Sequence, residues 1–442
     1  MLLSLEPVKM FHQFIFLCFK QFKDISFGKL VRIVFNCFVD FLGLNTIKSG
    51  HIGVQNHLLV PTTIMNCFAE NSKKPVLQLN GQDPEVAALF AKSSTIEEYV
   101  RVWLNEEFSG LLLVDEFQYV ENVSTMLKLL SDKHENLKIL CSGSSSLDIF
   151  QRVEESMAGR VRVIEVLSLS FAEYLLFKDP LLWHLQQNAT TADEALMTPL
   201  LNAYREYLVY GGLPRVALAE KSTDKIALIN DIYQTYLLND VRKYIRNEHF
   251  VGFARLIRLL AAQIGNLVNV NELSRESGLK YATCESYIQL LQQMYIIRLL
   301  EPLANKRKTI TQMKKVYFYD LGLRNMVYNS FNEIDFRTDK GAIFENEVML
   351  ELWRSRNAGE SLLFYRTTNG TEVDFVMDGP TRKLLVECKF HHNSKNLKLP
   401  AMTNLAADLD NAAVRCYAAN LNYYSEEPPV RMMPCYWCDR IQ

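Results

Sequence analysis

Short, mainly apolar runs alternate with segments of helical hydrophobic spacing between residues 74 and 141. The short runs have the length of buried strands, and the longer segments place apolar side chains on one face of a helix. Strands that alternate with helices are typical of a parallel sheet covered by helices. The sequence therefore predicts an α/β fold, with strands at residues 74–80, 111–114 and 137–141 and helices starting at Pro84, Ile96 and Ser124.

Two carboxylates, Asp115 and Glu116, follow the second of these apolar runs, and Ser142 follows the third. Ligands of open α/β sheets bind just outside the carboxyl ends of the strands, so these side chains are expected at one edge. An Asp there can hold Mg²⁺, a neighbouring Glu can orient water, and a hydroxyl can contact a γ-phosphate. A buried strand that ends in a solvated turn, and a Ser-Gly turn, fit the same residues.

The middle of the chain is predicted to be helical, with a joint at Gly211 and Gly212. Residues 253–264, 270–279 and 281–294 then have the pattern of a helix-turn-helix, and residues 295–300 and 316–319 form a hairpin. Five basic residues and no acidic residue lie between Ala304 and Tyr319. This predicts a winged helix that contacts DNA through residues 280–315, although such modules also serve as protein-interaction surfaces.

A second candidate site lies near the C-terminus, in two segments with strand-like alternation at residues 371–377 and 384–390. Glu387 and Lys389 share one face of the second strand, and Asp374 can lie beside them across the hairpin. Glu345, at the start of a predicted helix, can add a further carboxylate. Such carboxylates can hold Mg²⁺ while a lysine assists the attacking water in phosphodiester cleavage. A surface hairpin of mixed charge is the alternative interpretation.

Composition limits the possible classes of protein. A chain of 442 residues suggests about three domains. Its net charge of −2 means that nucleic-acid binding would need a local basic patch. Nine scattered cysteines favour a reducing, cytoplasmic location over a disulfide framework. No apolar run approaches the roughly 18 residues of a membrane span, and no signal peptide is recognised.

Residues 1–50 differ from the rest of the chain. Nine of the 25 Phe residues lie in the first 41 positions, without sustained amphipathic spacing or helix caps. An amphipathic arm that lies on a membrane surface is one interpretation. Another follows from the resemblance described next.

Taken together, these motifs resemble a prokaryotic family of AAA-type ATPases that join an ATPase module to a winged helix and a restriction-nuclease-like C-terminal domain. The resemblance covers roughly residues 60–442. The motifs that carry it are residues 111–116, 141–144, 158–160, 169–175, 211–214, 318–324, 344–346, 372–375 and 387–389. No single motif is specific, but their order and spacing are.

The resemblance implies a role for several side chains. Asp115 would hold the metal ion and its water, Glu116 would be the catalytic carboxylate, Ser142 the phosphate sensor, and Arg160 would face the phosphates. ATP and Mg²⁺ are the implied cofactors, and the predicted metal ligands are Asp115, Glu345, Asp374 and Glu387.

The phosphate-binding loop of this family is not found in the sequence. Such a loop reads Gly-x-x-x-x-Gly-Lys-Ser/Thr, and its backbone N–H groups and lysine hold the phosphates. Thr62 and Thr63 fit the end of the loop, but Pro61 stands where the lysine is expected. We therefore hypothesise that residues 1 to about 61 are read from a shifted frame or a wrong start. As written, the chain is expected to bind ATP weakly or not at all.

The sequence thus predicts a parallel-sheet, P-loop NTPase-like core, a helical and winged-helix middle and an α/β restriction-endonuclease-like end. The predicted segments are 1–50, atypical; 51–180, ATPase core; 181–250, helical lid or connector; 251–325, winged helix; and 326–442, nuclease-like. The predicted function is an AAA-family ATP-binding protein or ATPase, impaired by loss of the loop and coupled to a DNA- or protein-interacting module. A Mg-dependent nuclease with a scaffold ATPase domain and a non-enzymatic winged-helix DNA-binding protein are the alternatives. Oligomerisation and protein partners are compatible with all three.

Overall fold

The computed structural model describes most of the chain from residue 72 onward and a few short segments before it. The described residues are 14–19, 65–66, 69–70, 72–143, 161–235, 241–242, 244–303, 313–367, 369–391, 397, 399–409 and 414–441, with only the backbone at 14–19, 161–164 and 194. They divide into two compact units: residues 1–167 with 293–295, and residues 168–292 with 296–442.

The first unit contains a five-stranded sheet. Its strands are β1 (Phe14–Phe19), β2 (Val76–Asn80), β3 (Gly110–Asp115), β4 (Leu137–Cys141) and β5 (Val161–Val166). They are ordered β2-β3-β4-β1-β5 across the sheet. The pairs β2–β3 and β3–β4 are parallel, which confirms the predicted parallel sheet. Strand β1 is antiparallel to both of its neighbours, β4 and β5.

Among the described residues, α1 (Pro84–Leu89) and α2 (Ser93–Leu104) connect β2 to β3, and α3 (Val123–Lys133) connects β3 to β4. The carboxylate of Asp83 caps α1 by accepting a hydrogen bond of 2.8 Å from the backbone N–H of Glu85, as its sequence pattern indicates. Helix α2 buries Ile96, Val100 and Leu104, which recur at helical spacing. Burial of this apolar face holds the helix on the unit.

The second unit contains eleven α-helices among the described residues. They are α4 (Phe171–Lys178), α5 (Pro180–Asn188), α6 (Glu194–Tyr210), α7 (Pro214–Leu218), α8 (Ser222–Ile232), α9 (Phe250–Ala262), α10 (Val270–Ser277), α11 (Tyr281–Gln293), α12 (Leu321–Tyr328), α13 (Lys340–Arg354) and α14 (Pro400–Asp408). Short 3-10 segments lie at Phe117–Tyr119 in the first unit and at Asn247–His249, Ile334–Phe336 and Cys435–Arg440 in the second. No helix of the described ranges is long and apolar enough to cross a membrane.

The second unit also contains a seven-stranded sheet, ordered β12-β11-β10-β9-β8-β6-β7. Its strands are β6 (Ile297–Pro302), β7 (Lys315–Phe318), β8 (Ser361–Arg366), β9 (Glu372–Asp378), β10 (Lys383–Lys389), β11 (Val414–Asn420) and β12 (Val430–Pro434). The predicted hairpin near the C-terminus is present as the antiparallel pair β9–β10.

The elements on which the winged-helix prediction depends are α10, α11 and the antiparallel pair β6–β7. Gly278 ends α10 with φ of +76°, a backbone conformation that glycine adopts readily. Strand β6 also pairs in parallel with β8, so the hairpin belongs to the same sheet as the C-terminal strands. The winged-helix assignment therefore stays a prediction, and residues 304–312 lie outside the described ranges.

A close backbone crossing explains two of the quoted motifs. The backbone N–H of Gly212 donates a hydrogen bond of 3.0 Å to Oδ2 of Asp320, whose Oδ1 caps α12 by accepting from Leu323. A Cβ atom on Gly322 would lie 2.1 Å from the carbonyl oxygen of Tyr210. Burial raises the pKa of Asp320 to about 6, although these backbone N–H groups favour its ionised form. Both motifs therefore have a structural role in joining α6 to α12.

Candidate functional site

Three polar residues end the adjacent parallel strands of the first unit. Asn80, the last residue of β2, is the register partner of Asp115 at the end of β3, and Ser142 directly follows β4. The Ser142 hydroxyl donates a hydrogen bond to Oδ1 of Asp115, and the backbone N–H of Glu116 donates to the same oxygen at 3.0 Å. Asp115 and Ser142 are buried. The structure therefore places these side chains together, at the edge where ligands of parallel sheets bind.

Glu116 is held in an unusual backbone conformation next to this pair. Its φ of +50° lies in the left-handed region, which non-glycine residues rarely adopt. The amide of Gln118 donates a hydrogen bond of 2.5 Å to Oε2 of Glu116. A Cβ atom on Gly81 would lie 2.5 Å from the carbonyl oxygen of Glu116, so glycine allows β2 to approach the turn. Strain of this kind is often found at functional sites.

Asn80 and Gln118 are site residues that the sequence analysis missed. Asn80 carries the same signal as Asp115, because it is the polar residue that ends a mainly apolar strand. Gln118 gives no comparable signal, since its contact with Glu116 depends on the turn after β3. The predicted nucleotide-binding residues Thr62, Thr63 and Arg160 lie outside the described residues.

The direction of β1 bears on the phosphate-binding loop. Such a loop follows a strand and binds phosphate at that strand's carboxyl end. Leu17 of β1 pairs with Cys141, the last residue of β4, whereas Phe19 pairs with Val161, the first residue of β5. The carboxyl end of β1 is therefore at the edge opposite to Asp115 and Ser142. Strand β1 therefore does not carry such a loop to this edge, and residues 55–63, where the sequence pattern places the loop, lie outside the described residues.

In the second unit, the structure brings together the predicted residues of the β9–β10 hairpin. Oδ2 of Asp374 accepts a hydrogen bond of 2.8 Å from the backbone N–H of Cys388. Lys389 donates a hydrogen bond of 2.7 Å to Oε1 of Glu387 on the same strand. Glu345 lies on α13 and is close to the same cysteine: burial, the charge of Asp374 and then the charge of Glu345 raise the pKa of the Cys388 thiol. All four predicted residues therefore contribute to one acidic cluster.

Lys315 and Tyr317, on β7, are two further members of this cluster that the sequence analysis did not assign to it. Nζ of Lys315 lies 3.0 Å from Oε1 of Glu345 and 3.9 Å from Oδ1 of Asp374, and it also bonds to Glu372. The Tyr317 hydroxyl donates a hydrogen bond of 2.7 Å to Oε1 of Glu345. Strand alternation places both side chains on one face. Lys315 therefore corrects one expectation: it is 2% exposed and supplies no surface charge for DNA phosphates.

Burial controls the protonation of this cluster. It raises the pKa of Glu345 to about 7, with a further contribution from the charge of Asp374 and an opposing one from Lys315. Burial also raises the pKa values of Asp374 and Glu387. Burial alone would lower the pKa of Lys315, but the charges of Glu345, Asp374 and Glu372 raise it above its ordinary value. In the part of the chain that the structure describes, no group of three or more His, Cys, Asp or Glu is placed to hold a metal ion.

Comparison with protein families gives three matches along the chain. An AAA domain matches residues 62–175, and two domains of unknown function, DUF8612 and DUF4143, match residues 201–333 and 340–437. The AAA match covers β2 to β4 and therefore the edge that carries Asp115 and Ser142. Together with the C-terminal match, it supports an AAA-type ATPase family and an ATPase-like fold for the first unit. The descriptions of DUF8612 and DUF4143 name neither a winged helix nor a nuclease.

The chain is also similar to uncharacterized proteins from distant prokaryotes. It is 28% identical to one from Methanocaldococcus jannaschii, over 74% of this chain and 72% of that protein. It is 24% identical to one from Mycobacterium tuberculosis, over 61% of this chain and 56% of that protein. A protein of Haemophilus influenzae is 25% identical over 64% and 68%. These relatives carry no described activity.

One solved structure aligns over much of the chain. It is Can2 from Sulfobacillus thermosulfidooxidans in complex with cyclic tetra-adenylate. The alignment covers 82% of this chain and 94% of that chain, with 11% identity and a TM-score of 0.17. At this TM-score the likeness carries no argument about fold or ligand.

Proposed function

We propose that this protein is an AAA-type nucleotide-binding protein whose Mg-ATP site is the strand edge formed by Asp115, Glu116 and Ser142. We further propose that the chain as written binds ATP weakly and hydrolyses it slowly, if at all. The observation that carries the proposal is the hydrogen bond from Ser142 to Asp115, which joins the carboxyl ends of two adjacent parallel strands. The AAA match to residues 62–175 supports the same edge.

Each side chain at this edge suits one task in phosphoryl transfer. Asp115 presents a carboxylate, the ligand type that Mg²⁺ prefers, and Ser142 orients that carboxylate through its hydroxyl. Glu116 provides a second carboxylate that can orient water, and Gln118 holds its side chain. When bound, Mg²⁺ would neutralise charge that develops on the phosphate oxygens.

Weak binding follows from the phosphate side of the site. A phosphate-binding loop contributes several backbone N–H groups and a lysine, and these provide much of the interaction with the β- and γ-phosphates. The sequence has Pro61 in place of the lysine, and Gln55 and Val60 in place of the two glycines of the loop. The carboxylates are thus proposed to form half of a site.

The test is a titration of the protein with Mg-ATP, in which the fluorescence of a labelled nucleotide reports binding. The full chain is expected to bind with Kd of about 1 mM or weaker, with no measurable binding by Asp115→Asn. Glu121→Gln is the matched control, since this exposed carboxylate lies in the turn after β3 and contributes nothing to the proposed site. Micromolar affinity would contradict weak binding, and equal affinity of Asp115→Asn would contradict the site.

A chain with a restored loop provides the positive test. The triple substitution Gln55→Gly, Val60→Gly and Pro61→Lys creates the loop pattern directly before Thr62. It is expected to raise Mg-ATP affinity by about tenfold or more, equivalent to about 1.4 kcal/mol. The gain should disappear when Asp115→Asn is added. A gain that persists with Asp115→Asn, or no gain at all, would contradict a nucleotide site at this edge.

The two alternative functions predict different results with the same protein. A Mg-dependent nuclease would cleave DNA or RNA with activity that survives Asp115→Asn but not Asp374→Asn. A winged-helix DNA-binding protein would show salt-dependent DNA binding without either activity. Coupling of the ATPase module to DNA or to a protein partner is supported only by the resemblance, and measurement of ATP hydrolysis with and without DNA tests it.

A further inference from the structure

The acidic cluster of the second unit contains a buried cation supplied by the chain itself. Lys315 extends from β7, and its ammonium lies where three carboxylates from two other elements meet. Nζ is 3.0 Å from Oε1 of Glu345 on α13 and 3.9 Å from Oδ1 of Asp374 on β9, and it bonds directly to Glu372 on β9. The side chain is 2% exposed.

The position of this ammonium is fixed from several sides. Its strand pairs with β6 within the sheet, and the Phe364 ring centroid lies 5.6 Å from Nζ. Tyr317, two residues along β7, donates to the same Glu345 oxygen that faces Lys315. Moving the ammonium away would leave buried carboxylates without their counter-charge, which is strongly unfavourable. Lys315 is therefore a permanent part of the cluster.

The resemblance to restriction-type nucleases implies Mg²⁺ at this place, but one oxygen of each of the three predicted carboxylates already accepts a hydrogen bond. Oε1 of Glu345 accepts from Lys315 and Tyr317, Oδ2 of Asp374 accepts from the backbone of Cys388, and Oε1 of Glu387 accepts from Lys389. Mg²⁺ requires near-octahedral oxygen ligands at close to 2 Å. The Lys315 ammonium lies among the carboxylates of Glu345, Glu372 and Asp374, so the described residues do not fit the ion while Lys315 is in place.

We propose that Lys315 is a built-in cation that takes the place of a divalent metal ion in this cluster. The native cluster is metal-free, and removal of the lysine charge opens a divalent-cation site formed by Glu345, Glu372 and Asp374. This inference concerns the second unit and does not depend on the proposed nucleotide site at Asp115.

The test is Mn²⁺ binding by the full chain in the absence of nucleotide, followed by electron paramagnetic resonance. Mn²⁺ serves as a visible probe for the class of hard divalent cations that carboxylates bind. Wild type and Lys315→Arg, which keeps the charge, are expected to bind no Mn²⁺ at the cluster. Adding Asp374→Asn to either should therefore leave its Mn²⁺ binding unchanged. Lys315→Met is expected to gain one Mn²⁺ ion, at least about tenfold tighter than any wild-type binding. The double variant with Asp374→Asn should lose it again.

Two results would overturn the proposal. One is Mn²⁺ binding by the wild-type chain that Asp374→Asn abolishes, since the cluster would then hold metal with Lys315 in place. The other is a folded Lys315→Met chain that gains no Mn²⁺. If Lys315→Met is unfolded, Mn²⁺ should restore its circular dichroism and raise its Tm, and failure to do so also contradicts the proposal. Asp115→Asn, combined with Lys315→Met, should leave the gained ion in place.

Discussion

The hydroxyl of Ser142 donates a hydrogen bond to Oδ1 of Asp115, which ties the end of β4 to the end of β3. Both groups are buried, so the bond is shielded from water. It fixes the orientation of the carboxylate at the edge where β3 and β4 end. Its contribution to stability can be measured independently of any ligand.

Ser142→Ala should lower the free energy of unfolding by about 1–2 kcal/mol, because the buried Asp115 carboxylate loses a hydrogen-bond donor. Ser124→Ala is the control. The Ser124 hydroxyl is buried as well, but it has no hydrogen-bond partner among the residues described. Its removal should change stability by less than about 0.5 kcal/mol. Urea denaturation measures both, and equal effects of the two substitutions would show that the Asp115 bond contributes nothing.

Gly322→Ala should destabilise the second unit by about 1–3 kcal/mol or more, because the added Cβ would lie 2.1 Å from the Tyr210 carbonyl oxygen. Gly341→Ala is the matched control. Gly341 lies in the first turn of α13, and a Cβ there meets no atom within 4 Å. The Gly341→Ala substitution should stabilise the helix by about 0.5–1 kcal/mol, because alanine has a higher helix propensity than glycine. Thermal unfolding distinguishes the two, and a harmless Gly322→Ala would contradict the close crossing.

Asn346→Ala should cost about 2–4 kcal/mol, because two buried backbone groups lose their partner. Oδ1 of Asn346 accepts from the backbone N–H of Phe318 at 2.7 Å, and Nδ2 donates to the carbonyl of the same residue at 2.8 Å. These bonds complete the outer edge of β7. Asn271→Ala, at an exposed position of α10, should be nearly neutral. Denaturant unfolding should show a much lower free energy of unfolding for Asn346→Ala than for Asn271→Ala. Equal stabilities would show that the bonds of Asn346 to Phe318 do not stabilise β7.

Asp339 should make stability depend on acid pH. Burial alone would raise the pKa of this carboxyl, but hydrogen bonds from Arg337 and Arg324 lower it from 3.8 to about 2. A carboxyl whose pKa is lower in the folded state stabilises the protein at pH values above its unfolded-state pKa. This stabilisation disappears as the pH falls through the folded-state pKa. The contribution at neutral pH is about 2 kcal/mol.

The measurement compares wild type with Asp339→Asn across pH. The difference in unfolding free energy should be constant above about pH 5 and should shrink steadily as pH falls from about 4 to 2. Asp335→Asn serves as the control, because Asp335 makes an ion pair with Arg205 but is nearly half exposed. A difference for Asp339→Asn that does not change with pH would show that the arginines do not stabilise its ionised form.

The sequence determined the elements whose signal is local. Apolar runs of strand length predicted β2, β3 and β4, and the polar residues that end β3 and β4 predicted that Asp115 and Ser142 lie together. Alternation in β9 and β10 predicted the hairpin that carries Asp374, Glu387 and Lys389. These predictions succeeded because side-chain periodicity and strand ends are properties of consecutive residues.

Only the tertiary structure decided features that join distant parts of the chain. The sequence pattern places Lys315 in a basic hairpin. Its burial among Glu345, Glu372 and Asp374 depends on β7 and β9 belonging to one sheet, which the sequence pattern does not predict. Gly212 and Asp320 are 108 residues apart, so no local pattern could reveal their bond. The direction of β1 likewise depends on its neighbours in the sheet. Periodicity specifies which face of an element is buried, but the partner on that face is chosen by packing of the whole chain.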